Sequence, residues 1–248
     1  MIYYINLDRS TDRRACIEGD MTSLGWTAQR IPAISPTNLH KVVRVTLADT
    51  VGHDRWVAQS VIASHLVAYE ALVASGDPWA LLLEDDADLR ALASWGFDLD
   101  TLATAFPADA GLVQLAPLWT ARHGVPPLTL HPHRFRVEWC TAATWVRREH
   151  AERVLAYFRN GDGHYDLTRY MGALVADTVL LDGSCYGSRI YATPLVYCRG
   201  TDDGIDWTTL STLSRNEGQH RMHQQSRQAL QAQLEAHAPV TLAHLGLA

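Results

Sequence analysis

The chain is almost without lysine. Lys41 is the only one among 248 residues, so nearly all positive charge is guanidinium and most lysine-based covalent chemistry is excluded. Cysteine is also scarce: Cys16, Cys140, Cys185 and Cys198 lie far apart with no C-x-x-C spacing. That argues against a disulfide framework or zinc knuckle and for buried thiols. A basic excess is missing too, with 21 basic residues against 27 acidic ones and a net charge of −6. No overall footprint for nucleic acid is therefore expected. Long apolar runs are absent; Trp79 to Leu83 ends in acid, far short of the ~18 to 20 residues of a membrane span. The opening Met1 to Asp8 has no basic start, long apolar segment or small-residue cleavage site, and the expectation is a cytoplasmic protein. With 47% apolar and 19% charged residues, the composition is that of a folded globule, and the length allows one large α/β domain or two small ones.

Strands and helices alternate in the pattern. Residues 2 to 7 are apolar, β-branched and aromatic and predict a strand, followed by the polar stretch Asp8 to Arg14 and a helix ending at Gly25. Gln29 to Ile34 predicts a second strand, and residues 35 to 52 are irregular by pattern. From Asp54 to Ser75 apolar residues recur at helical spacing until Gly76-Asp77-Pro78 stops them. Trp79 to Leu83 is a continuous apolar run, as in a strand buried on both faces. Further strands are predicted at Gly111 to Ala116, within Phe135 to Val146 and at Ser188 to Tyr197. Helices are predicted at Arg148 to Phe158 and Tyr165 to Leu180. The expected division is a domain over 1–215 and a C-terminal helical segment or tail over 216–248, which includes the Gln-rich stretch Gln219 to Gln233.

Glu84, Asp85, Asp86 and Asp88 crowd four carboxylates into five residues directly after the buried strand. Their mutual repulsion calls for cations or donated hydrogen bonds. Magnesium or manganese suits such oxygen ligands, with substrate phosphates completing the shell. The alternative is a solvated turn or helix cap. Position favours a site, because ligands of open α/β sheets bind outside the carboxyl ends of strands.

Leu82-Leu-Glu-Asp-Asp86, preceded by Ser64-His65-Leu66 on a helix, resembles the paired motifs of glycosyltransferase family 25, the family of lipopolysaccharide and collagen galactosyltransferases. Ile5-Asn-Leu-Asp-Arg9 with Asp12-Arg13-Arg14 is similar to the family's opening strand and basic loop. Arg30 to Ile34 resembles its second strand, and Ala142 to Ala151 a later strand-to-helix segment. The chain departs from the pattern at Ser60-Val61, where the family usually has Gly-Cys, and after Pro194. The resemblance implies a GT-A fold: a Rossmann-like, mixed-sheet α/β structure that binds a nucleotide sugar. It also implies inverting transfer of a hexose, galactose or glucose, from a UDP-sugar to a hydroxyl acceptor, either a glycan or a small molecule.

On that reading Asp86 is the direct ligand of Mn²⁺ or Mg²⁺, with Glu84 and Asp85 serving ribose, metal or metal-bound water. Asn6 and Asp8 meet uracil or ribose, and Arg13 holds phosphate through charge-assisted bonds. Ser64 and His65 contact the donor or serve the helix structurally. The general base that inversion needs is assigned to Asp177, in the apolar setting Ala176-Asp-Thr-Val179, with Asp166 as the alternative. His220 and His223 are candidates for a further metal ligand. Two other functions remain open: a noncatalytic nucleotide-sugar or glycan-binding module, and a metal-dependent phosphohydrolase. A soluble acceptor or a lipid-linked one met at a membrane surface fits equally.

Overall fold

The structure, a computed structural model, describes residues 1–44, 53–119, 128–135, 137–199 and 217–248. Its centre is a seven-stranded mixed sheet in the order β2-β1-β3-β7-β5-β8-β6. The strands are β1 (Ile2–Asn6), β2 (Gln29–Pro32), β3 (Trp79–Glu84), β5 (Ala110–Gln114), β6 (His131–Pro132), β7 (Ala143–Arg147) and β8 (Arg189–Ala192); β4 (Ala87–Asp88) pairs separately with β9 (Tyr197–Cys198). β2, β1 and β3 are parallel neighbours, β7 runs antiparallel between β3 and β5, and β5 is parallel to β8. The expected mixed α/β sheet is thus present. Because β7 runs backwards, its start joins the carboxyl ends of β1, β3 and β5 at one edge.

Both faces of the sheet are covered, which explains why β3 is apolar throughout: Ala80 to Leu83 are each no more than 1% exposed. On one face α2 (His53–Ser75) and α4 (Arg148–Phe158) bury Ile62, Leu66, Leu72, Val154 and Phe158 against Tyr3, Leu82 and Val146. On the other, α1 (Thr11–Ser23), α3 (Leu99–Ala105) and α7 (Glu217–Ala236) join a core that includes Ile17, Leu102, Leu230 and Leu234 with Tyr4, Leu81, Leu83 and Trp145. Leu230 and Leu234 are buried, so α7 contributes to this core.

Trp56–Ser75 within α2 is long and apolar enough by composition to span a bilayer, although Gln59, Ser60, Ser64, His65 and Glu70 interrupt it; it is 61% buried as the central core helix, which accounts for that apolarity. Two expectations need correction. Tyr165 to Leu180 is a 3₁₀ turn at Leu167–Arg169 and the short α5 (Ala176–Leu180). The Asp166 carboxylate accepts from the Thr168 amide and hydroxyl, and this local bonding competes with a continuous helix. The late strand is split into β8 and β9 around Pro194, and a second short helix, α6 (Gly183–Tyr186), precedes it. Phe135 to Val146 supplies β7, as expected, and the two-residue β6 lies just before it.

Candidate active site

A cleft of about 390 Å³ opens at the edge where β1 and β3 end, between the loop after β1, the segment after β2 and the first turns of α2. Asn6, Arg9, Arg13, Ser64, His65, Glu84, Asp85 and Asp86 line it. Parallel pairing explains the convergence: Ile5 stands opposite Glu84, so the residues that follow each strand emerge side by side.

The acidic residues hold three different environments. Asp85, 3% exposed, accepts from the Asn6 amide at 2.7 Å and is ion-paired with Arg13. Burial still pushes its carboxyl above the ordinary value, with Arg13 and Asn6 opposing. Glu84 Oε1 accepts from the Thr141 hydroxyl at 2.5 Å and lies 2.9 Å from His65 Nε2. Burial works against its ionisation, but His65 and Thr141 with the Arg13 charge hold it below the usual carboxylate range. Asp86 has the fewest donors: the Cys198 thiol sits 3.6 Å from Oδ2, and Oδ1 is buried with no hydrogen-bond partner. Burial and the charges of Glu84 and Asp85 push its carboxyl up to about 7. An uncompensated carboxylate oxygen next to a cleft is a suitable place for a cation.

Among the described residues no group of three or more His, Cys, Asp or Glu is arranged to hold a metal. A site with Asp86 and its neighbour Glu84 is instead the open kind, in which a magnesium-like ion takes one or two carboxylates and draws further oxygens from phosphates and water. The side chains of His220 and His223 lie outside the described part of the structure.

The other sequence candidates separate into cleft walls and cleft supports. Asn6, 1% exposed, spends its amide on Asp85 and the Ser10 carbonyl and accepts from Arg30 Nε at 3.1 Å, so it braces the floor. Ser64 donates to the Ser60 carbonyl at 2.7 Å and accepts from the Ile34 amide at 2.8 Å, tying α2 to the chain after β2. Asp8 does not line the cleft; its exposed carboxylate pairs with Arg30 at 2.6 Å. Asp177, on α5, is not among the residues that line the cleft but is close enough to feel the charges of Glu84 and His65. Its carboxylate accepts from the Cys140 amide, and burial pushes it up to about 6. Asp166 is the cap of the 3₁₀ turn and is absent from the cleft.

Sequence reading passed over four further residues. Arg9 lines the cleft from an exposed position with no carboxylate partner among the described residues. Thr141 orients Glu84. Cys140 adopts φ 88°, which aims its amide at Asp177, while Gln114 Nε2 fixes its carbonyl at 2.7 Å. Only the Asn-Leu-Asp-Arg run offered a signal, for Arg9; Thr141 and Cys140 come from a distant stretch of chain.

Residues 1–94, which carry Ser64-His65-Leu66 and Glu84-Asp85-Asp86, match the model of glycosyltransferase family 25 (LPS biosynthesis protein). The match assigns this stretch of the chain to family 25 and bears out the resemblance read from the motifs. Comparison with curated proteins gives no match. Among solved structures the chain is similar to a glycosyltransferase involved in the glycosylation of the major capsid of PBCV-1, with 9% identity over 78% of this chain and 80% of that chain and a TM-score of 0.40.

Proposed function

We propose that the chain transfers a hexose, galactose or glucose, from a UDP-sugar to a hydroxyl acceptor with the help of Mn²⁺ or Mg²⁺, with inversion at the anomeric carbon. The observation that carries this reading is the buried, partnerless Oδ1 of Asp86 beside a cleft already walled by family residues. Asp86, with Glu84 beside it, would hold the ion. When bound, such an ion neutralises charge on the departing nucleoside diphosphate.

The remaining steps belong to the chain's own side chains. Arg9 faces the cleft with no competing carboxylate among the described residues and is placed to attract the diphosphate, a role the sequence suggested for Arg13. Arg13 acts first on Asp85, opposing the burial that disfavours its ionised form and fixing the cleft floor. His65 and Thr141 orient the Glu84 carboxylate. Asp177, pushed up to about 6, is suited to accept the proton of the acceptor hydroxyl near neutral pH, since a base works best when its pKa lies close to the operating value. The acceptor is a glycan or a small molecule with a free hydroxyl.

Calorimetry with UDP tests the central assignment. Wild type should bind UDP more tightly with Mn²⁺ than without it. Asp86→Ala should lose that increment of at least ~10-fold while keeping the far-UV spectrum of the native fold. An unchanged Mn²⁺ increment in Asp86→Ala would overturn the assignment. Product analysis with UDP-galactose and UDP-glucose separates transfer, or slow UDP release to water, from binding alone and from phosphate release.

A further inference from the structure

The opposite edge of the sheet carries a second cleft, of about 400 Å³, where β7 ends and β5 and β8 begin. The five residues of β7 separate it from the acidic edge by roughly 13 Å of strand. We propose that this cleft binds a phosphate-class dianion, held by Arg147, Arg153, Ser188 and His150. This inference is independent of the sugar-transfer reading.

The two arginines are fixed by neutral groups. Arg147 Nε donates to the Ala110 carbonyl at 3.0 Å, and its guanidinium lies 5.0 Å from the centre of the Trp145 ring. Arg153 donates to the Gly187 carbonyl at 2.8 Å and the Ser188 hydroxyl at 3.2 Å. Neither has an ion pair among the described residues, so their charge is held in place without being neutralised. Arg189, also on the wall, spends its charge on Asp109 at 3.3 Å, and Glu149 is the other carboxylate there. Three guanidiniums thus face two carboxylates, at the start of a helix that has no side-chain cap. Two pre-oriented guanidiniums on one cleft wall, with the Ser188 hydroxyl beside Arg153, match the oxygens of a phosphate.

A second observation points the same way. His150 is 1% exposed, and neither ring nitrogen has a hydrogen-bond partner. Its ring is held edge-on against Tyr69 and Tyr186, and its wall of the cleft is shared with Ser188. Burial and the Arg153 charge push it down to about 3, so it is neutral at physiological pH and presents one N–H and one bare nitrogen. A buried polar ring left this way calls for a ligand oxygen. Gly111 keeps the floor open: a β-carbon there would stand 2.9 Å from Ser188 Cβ and 3.1 Å from His150 Nδ1.

The test uses the full chain with two sources of the same chemistry. One is inorganic phosphate at constant ionic strength, read by thermal shift and calorimetry; the other is phosphatidylcholine vesicles with and without phosphatidic acid, read by co-sedimentation. Arg153→Ala removes an exposed side chain, and its melting temperature without ligand should stay near wild type. If phosphate raises the melting temperature of wild type and Arg153→Ala and Arg147→Gln each weaken it at least ~10-fold, the site takes a free phosphate. Should only the phosphatidic acid vesicles capture wild type, with loss in the same variants, the proposal stands with a lipid headgroup as the source. Arg153→Glu serves if Arg147→Gln does not fold. Phosphate bound equally by wild type and variants would place the ion elsewhere and overturn the proposal, as would no response to either probe.

Discussion

At the scale of single residues, the acidic cluster divides by partner. Asp85 has a cation and an amide, Glu84 has a histidine and a hydroxyl, and Asp86 has one distant thiol. Arg13→Ala would leave Asp85 buried with only Asn6 as donor, and breaking a buried pair costs about 3 kcal/mol. Urea unfolding should show that loss. UDP and uridine affinities should fall together, because the floor of the cleft moves; a selective loss of UDP would restore a direct phosphate role. Asp177→Asn preserves shape and removes the proton acceptor. Donor and metal binding should survive while transfer falls by ~10²-fold or more in an acceptor assay. Normal turnover in this variant would rule Asp177 out as the base.

At the scale of elements, local pattern was sufficient wherever one face or a continuous run recorded burial. α2 and β3 stand close to their expected limits, because periodicity and an unbroken apolar stretch are consequences of packing on one face or two. The region 165–180 failed for a stated cause: a side-chain bond from Asp166 replaced the helical one. The C-terminal helix could be read as an element, but not its docking. Leu234 is fully buried against the sheet-side core, so Leu234→Ala should cost roughly 2–5 kcal/mol in denaturant unfolding. A loss below about 0.5 kcal/mol would mean that α7 is only loosely attached.

At the scale of the whole molecule, pH stability should carry the mark of a buried charge group away from the cleft. Glu138 is fully buried and accepts from His131 at 2.9 Å and Arg134 at 2.8 Å. Burial opposes its ionisation, but those donors hold Glu138 below its ordinary 4.5. His131 is raised above 6.5, with burial opposed by Glu138. Burial lowers His133 beside them, with Glu138 opposing. Glu138 therefore contributes stability above pH 4.5 that is lost as pH falls through its lower folded value. His131 contributes below pH 6.5 and loses that contribution as pH rises through its higher folded value. The stability gap between wild type and His131→Asn should be widest between about pH 4.5 and 6.5 and should narrow above it. A gap that grows with rising pH contradicts the pair.

By itself the sequence determined the order of the first strands and helices, the acidic strand end and the family motifs. Each of these is written in contiguous residues whose periodicity or spacing carries its own physical cause. Only the tertiary structure decided what those residues touch. Asn6 and Ser64, which line the cleft, are also braces, because their partners Asp85 and Ile34 come from other elements. Antiparallel insertion of β7 brought Cys140 and Thr141 to the acidic edge, and with them Asp177. The same insertion carried Arg147 and His150 to the opposite edge. Strand direction is set by pairing across the sheet, between segments dozens of residues apart, and no local pattern encodes it.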